Sequence, residues 1–185
     1  MKLPVAIAII FLKANLLFAQ TPSPASHLID SVFQKAKTEK KNIFILFTAS
    51  WCGPCKELKR ALYDEYNVQF FKNNYVLLEL YGSEVGDKKK DENPGTKDII
   101  VKFDGDTSTL PYWVILNSKG IKLQDNYIKV DSNSSKRENI GFSYIPKYLW
   151  QFLHFIKQTS KLTKAELQMI YDRCQQLNRI TPKDD

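Results

Sequence analysis

Residues 42–58 read NIFILFTASWCGPCKEL, and the reading of the whole chain turns on them. A nearly continuous apolar run is the pattern of a strand buried on both faces. It gives way to Trp51-Cys52-Gly53-Pro54-Cys55, and a helical pattern begins at Lys56. A helix N-terminus carries unsatisfied N–H groups and the positive end of the helix dipole. Cys52, expected in the first turn, would have its thiolate stabilised there and its pKa lowered. Cys55, one turn further in, is near enough to close a disulfide onto it. Pro54 is tolerated because the first turn does not need its N–H. The same spacing also fits metal ligation, but zinc sites ordinarily need a second cysteine pair or histidines at ligand spacing. This chain has three cysteines and two histidines, the third cysteine being the distant Cys174.

With Trp51 in front and Gly53-Pro54 at its centre, the motif resembles that of the thioredoxin superfamily. The resemblance implies an α/β thioredoxin-like fold, a central mixed sheet flanked by helices, and thiol–disulfide exchange with no cofactor beyond the Cys52–Cys55 disulfide and no metal. In that family a cis-proline faces the cysteine pair. Thr109-Leu110-Pro111-Tyr112 stands directly before an apolar strand, so Pro111 is matched to that proline and Leu110 to the residue whose backbone contacts an extended substrate. Read without the resemblance, Pro111 is a trans proline opening a strand. The sequence departs from the family at Leu46, six residues before Cys52, where many thioredoxins carry an aspartate that serves the second cysteine. That role does not transfer to this chain. Glu79, on the next expected strand, reads either as an end-of-strand residue reaching solvent or as a carboxylate near the site, and the base for Cys55 is left unassigned.

The remaining residues fill in the frame. Residues 1–19 have the pattern of a signal peptide: Lys2, an apolar run from Leu3 to Leu12, and Leu17-Phe18-Ala19 before Gln20. Lys13 interrupts the run, which makes it a poor membrane span. Export would place the cysteines where disulfides persist, in the periplasm or outside the cell. A linker is expected over residues 20–27, the thioredoxin-like domain over 28–160 and a helical extension over 161–185. Helices are expected from Ser26 to about Ala36, after Cys55 with Leu58, Ala61, Leu62 and Tyr66 inward, and over residues 144–157 and 163–177. Thr163 and Glu166 stand in capping-box spacing in front of the last of these. Residues 75–80, 112–116 and 121–130 read as strands, the last two joined at Asn117-Ser118-Lys119-Gly120. Residues 82–94 and 131–139 read as polar surface.

Composition excludes little and agrees with the motif. The chain has 185 residues, is 43% hydrophobic and carries a formal charge of +7, room for one domain with a proper core. The basic residues are dispersed, and Lys88-Lys89-Lys90 is followed at once by Asp91-Glu92, so a solvated surface is favoured over a nucleic-acid track. His27 and His154 stand alone, which leaves Ser-His-Asp hydrolysis without support. Cys174 falls in register with Leu167, Ile170 and Leu177 and reads as a buried thiol, or else as a third redox group. Residues 144–157 carry aromatics on more than one face, to be covered by the last helix or left as a docking patch.

The expected activity is therefore exported thiol–disulfide exchange, with Cys52 as nucleophile and Cys55 as resolving thiol. The direction is expected to be reducing. Client proteins and a membrane or periplasmic electron donor are the expected partners, without nucleic acid and without stable membrane insertion once the leader is removed. Oxidase or isomerase activity, or a binding module in which the pair is structural, are the competing readings.

Overall fold

A computed structural model describes residues 21–130 and 136–180. The leader expected over residues 1–19 lies outside them. Helix α1 (Ala25–Glu39) is followed by β1 (Asn42–Thr48), α2 (Gly53–Tyr63), α3 (Val68–Asn74) and β2 (Tyr75–Tyr81). A short 3₁₀ turn (Gly86–Asp91) leads to α4 (Thr96–Lys102), and then come β3 (Tyr112–Leu116), β4 (Lys122–Asp125), β5 (Tyr127–Lys129) and β6 (Arg137–Asn139). Helices α5 (Pro146–Thr159) and α6 (Lys164–Ile180) close the chain.

The sheet runs β2-β1-β3-β4, with β1 parallel to β2 and antiparallel to β3, and β3 antiparallel to β4. Side chains of β1 alternate between two cores, as the pleat requires. Ile43, Ile45 and Phe47 meet α1 and α4 through Ile29, Ala36 and Ile100. Phe44 and Leu46 meet α2 and α5 through Leu58, Leu62 and Phe152. The mixed sheet between helical layers is the expected architecture, and β1 hands the chain directly to the cysteine motif.

Helix α6 is built into the second core rather than laid over it. Leu167, Ile170, Cys174 and Leu177 are buried in one cluster with Leu149, Phe152 and Leu153 of α5. Its start is fixed by the expected capping box: the Glu166 carboxylate accepts from the N–H and hydroxyl of Thr163, at 2.7 and 2.8 Å, and the Glu166 N–H donates to Thr163 Oγ1 at 3.2 Å. The surplus aromatic face of α5 is only partly covered. Trp150 remains exposed and stacks on Tyr171 with ring centroids 4.4 Å apart.

Four expectations are corrected. The linker over 20–27 is shorter, because α1 already starts at Ala25, whose N–H donates to the Pro94 carbonyl at 2.8 Å. Tyr66 does not point inward; α2 has ended at Tyr63, and Tyr66 is 63% exposed beneath the Arg173 guanidinium, which lies 4.3 Å from its ring. The strand expected over 121–130 is broken at Asn126 into β4 and β5: the Asn126 N–H still donates to the Trp113 carbonyl at 3.3 Å, but its carbonyl turns to the Ile140 N–H, and its buried side chain bonds to the Trp113 N–H and the Pro111 carbonyl. The polar stretch 131–139 contains a strand, β6, which pairs with β5.

Candidate functional site

The turn between β1 and α2 is closed by the Cys52 N–H donating to the Ala49 carbonyl at 3.1 Å. Cys52 caps α2 instead of lying inside its first turn. Its Sγ accepts the Cys55 N–H at 3.2 Å, and Pro54 occupies one of the first helical positions. Cys52 and Cys55 are joined by a disulfide with Cα atoms 5.3 Å apart. The sulfur of Cys52 thus stands at the positive end of the α2 dipole with an N–H aimed at it, the arrangement that stabilises a thiolate once the bond is reduced.

Burial separates the surroundings of the pair from their exposed marker. Cys52 is 2% exposed and Cys55 0%, while Trp51 beside them is 53% exposed. Ala49 completes the small cluster around the sulfurs, and Leu110 packs against it. The Leu110–Pro111 peptide bond is cis, and Leu110, in the loop before β3, packs against the cysteines. The Pro111 carbonyl is held from behind by Asn126 Nδ2 at 2.8 Å and Asn139 Nδ2 at 3.2 Å. Asn126 Nδ2 also donates to Asn139 Oδ1 at 2.7 Å, and Asn126 Oδ1 accepts the Trp113 N–H at 3.3 Å. The break in the sheet at Asn126 and the strand β6 therefore both serve the proline loop.

Glu79 pairs with Lys59 at 2.7 Å and accepts from the Tyr81 hydroxyl at 3.2 Å. The pair is half-buried on the outer strand of the sheet, so Glu79 is satisfied without the cysteines. Leu46 is buried in the core beneath α2. Burial pushes the Glu57 carboxyl up, opposed by the nearby Arg60. His27 and His154 are exposed, and His154 shares a hydrogen bond with Gln158 at 3.1 Å. Burial pushes the Cys174 thiol up to about 12, which makes it a poor nucleophile. No group of three or more His, Cys, Asp or Glu among the described residues is placed to hold a metal ion.

Reasoning from the sequence missed Glu84 and the two asparagines. Glu84 belongs to the stretch read as polar surface, yet it is buried and its carboxylate accepts from Ser50, at the start of the cysteine motif. No local pattern marks such a residue. Asn126 and Asn139 interrupt stretches that pattern treats as strand and as polar loop.

A buried disulfide at a helix N-terminus, opposite a cis-proline loop on a mixed sheet, defines a thiol–disulfide oxidoreductase. The sequence model of a family described as thioredoxin-like matches residues 26–118, and the chain belongs to that family. Among solved structures it is similar to a disulphide isomerase from Xylella fastidiosa Temecula1, at 16% identity over 89% of this chain and 99% of that one, with a TM-score of 0.47. It is also similar to the C-terminal domain of Neisseria meningitidis DsbD in the oxidised form, at 15% identity over 76% and 99%, TM-score 0.47. A third likeness is to thioredoxin O2 from Arabidopsis thaliana in the oxidized state, at 19% identity over 56% and 76%, TM-score 0.37. No curated protein matches the chain.

Proposed function

We propose that this protein is exported and reduces disulfides in client proteins, with Cys52 as nucleophile and Cys55 as resolving thiol. One observation carries the assignment of roles: the Cys52 sulfur caps α2 and accepts the Cys55 N–H, whereas Cys55 lies inside the helix. The sulfur favoured as thiolate is the one at the helix end. In the first step the Cys52 thiolate attacks one sulfur of a client disulfide. That bond breaks, the other client sulfur leaves as a thiolate and takes a proton, and a mixed disulfide forms. Cys55 then loses its proton to water and attacks Cys52 Sγ, closing the Cys52–Cys55 bond. The second client sulfur is released, and the client has gained two electrons and two protons.

Trp51 and the backbone of Leu110 and Pro111 form the surface against which an extended client lies during these steps. Gly53-Pro54 resembles the centre of the reducing members of the family. Export follows the leader pattern of residues 1–19, with cleavage after Ala19, and places the protein in the periplasm or outside the cell. No helix among the described residues is long and apolar enough to cross a membrane. In an oxidising compartment the dithiol must be regenerated, so a membrane or periplasmic electron-donor protein is the second partner. The test is reduction of an insulin disulfide by the mature chain with dithiothreitol as donor. Turnover that disappears in Cys52→Ser, with a mixed disulfide accumulating in Cys55→Ser, is the expected outcome. Unchanged turnover in Cys52→Ser would end the reading.

A further inference from the structure

Glu84 lies in a stretch rich in Gly, Lys and Asp, yet it is only 3% exposed. Its two carboxylate oxygens are used separately on one residue. The Ser50 N–H donates to Oε1 at 2.6 Å and the Ser50 hydroxyl to Oε2 at 2.7 Å. Ser50 is the second residue of the turn that ends at Cys52. The third, Trp51, is held by the neighbouring position, its indole N–H donating to the Ser83 carbonyl at 2.8 Å. Both central residues of the turn that delivers the nucleophile are thus fixed by two consecutive residues of the loop after β2.

That loop is itself anchored. The Glu84 N–H donates to Glu92 Oε1 at 2.6 Å, and the Gly82 N–H to the Thr48 carbonyl at 3.0 Å. Asn93 closes the base, accepting the Tyr81 N–H at 2.8 Å and returning its own N–H to the Tyr81 carbonyl at 2.9 Å. A turn could be held as well by neutral acceptors, and a carboxylate is an expensive group to bury. Both Ser50 donors are neutral, so they satisfy the oxygens without cancelling the charge.

We propose that Glu84 is a positioning residue for the cysteine pair whose negative charge also biases the pair toward the disulfide. Through Ser50 it fixes where Cys52 stands. Its charge, two residues along the chain from Cys52 by way of that contact, opposes a thiolate there, since like charges disfavour each other's ionised forms. Reduction of the disulfide takes up two electrons and creates that thiolate, so a fixed negative charge disfavours the reduced form. The protein is thereby a stronger electron donor. This deepens the reducing role proposed above and rests on it only for its biological sense, because the effect of Glu84 on the couple holds in either direction of exchange.

Glu84→Gln separates charge from geometry. The amide oxygen still accepts the Ser50 N–H, and the amide N–H₂ meets a hydroxyl that can accept. Mature wild type and variant are equilibrated with glutathione mixtures and the dithiol fraction read by alkylation. The equilibrium is expected to move about threefold to tenfold toward the dithiol, tenfold corresponding to about 30 mV. Ser50→Ala keeps the charge and removes one contact; it is expected to slow insulin reduction without moving the equilibrium toward the dithiol. An equilibrium unchanged in Glu84→Gln, or moved equally in both variants, overturns the charge effect. Insulin reduction at the wild-type rate in Ser50→Ala overturns the positioning role, even if Glu84→Gln does not fold. Failure of the reducing role itself shows separately, in the absolute potential of the wild type.

Discussion

On one side of the Cys52–Cys55 disulfide the turn carrying Ser50 and Trp51 is tied down by a carboxylate; on the other, Pro111 is tied down by two amides. Both clamps act on backbone and both reach the site from distant sequence. Glu84 lies within the stretch that matches the thioredoxin-like family, whereas Asn126 and Asn139 lie beyond it. The proposed charge effect belongs to the carboxylate clamp alone, since the amide clamp carries no charge. A nucleophile needs both position and electrostatic tuning, whereas a docking strand needs position alone. Disturbing the first clamp should therefore alter the couple, and disturbing the second should alter stability and client handling only.

The largest effect is expected at the amide clamp. Asn126→Ala removes the acceptor for the Trp113 N–H and the donor to the Pro111 carbonyl, both buried. The Trp113 N–H is then stranded, at a cost of about 1–3 kcal/mol, while the Pro111 carbonyl keeps Asn139 Nδ2, so urea unfolding should show a loss of about 2–3 kcal/mol. The glutathione equilibrium of the folded variant should stay within twofold of wild type. A larger shift would mean that the two clamps are not electrically distinct. Asn139→Ala, which spares the Trp113 contact, should cost about 1–2 kcal/mol and slow insulin reduction.

Much of this arrangement can be read from the sequence, and the exceptions share a cause. The buried strand before Trp51 and the helix after it both announce themselves through apolar spacing or local chemistry. So does the capping box at Thr163, a contact between residues three apart. Glu84 does not, because its partner Ser50 is 34 residues away and a carboxylate among lysines looks like solvated surface. Strand β6 is Arg137-Glu138-Asn139, with no apolar alternation to betray it; it exists because β5 and the Pro111 loop offer it partners. Tyr66 has helical spacing from Leu62, but the helix stops at Tyr63 before that spacing can apply. Glu79 resolves into an ion pair with Lys59, a contact between a strand and a helix that neither segment reveals alone.

Smaller effects lie far from both clamps and act as controls. The Arg173 guanidinium, bonded to both Asp64 carboxylate oxygens at 2.8–2.9 Å, holds the Asp64 carboxyl below its ordinary range. A folded-state value below the unfolded one, about 3.9 for aspartate, gives stability that is present above pH 4 and lost as pH falls through the lowered value. Arg173→Gln should therefore be less stable than wild type at pH 7, with the difference closing in acid-unfolding series toward pH 2. A gap that persists there would point to packing instead. The smallest effect is at Cys174. With its thiol pushed up to about 12 by burial, iodoacetamide at pH 8 should leave it unlabelled in the native oxidised protein and label it once guanidinium unfolds the chain. Labelling of the folded protein would make it a third reactive thiol.

The central claim is that the pair at the head of α2 is a reversible couple poised to donate electrons. The reduction potential of Cys52–Cys55 in the mature chain, measured against a glutathione or dithiothreitol series, tests it most directly. A value near that of thioredoxin, about −270 mV, is the predicted result. A value at or above about −150 mV would make the protein an oxidant or isomerase, and the absence of any reversible couple would leave the disulfide a structural clip.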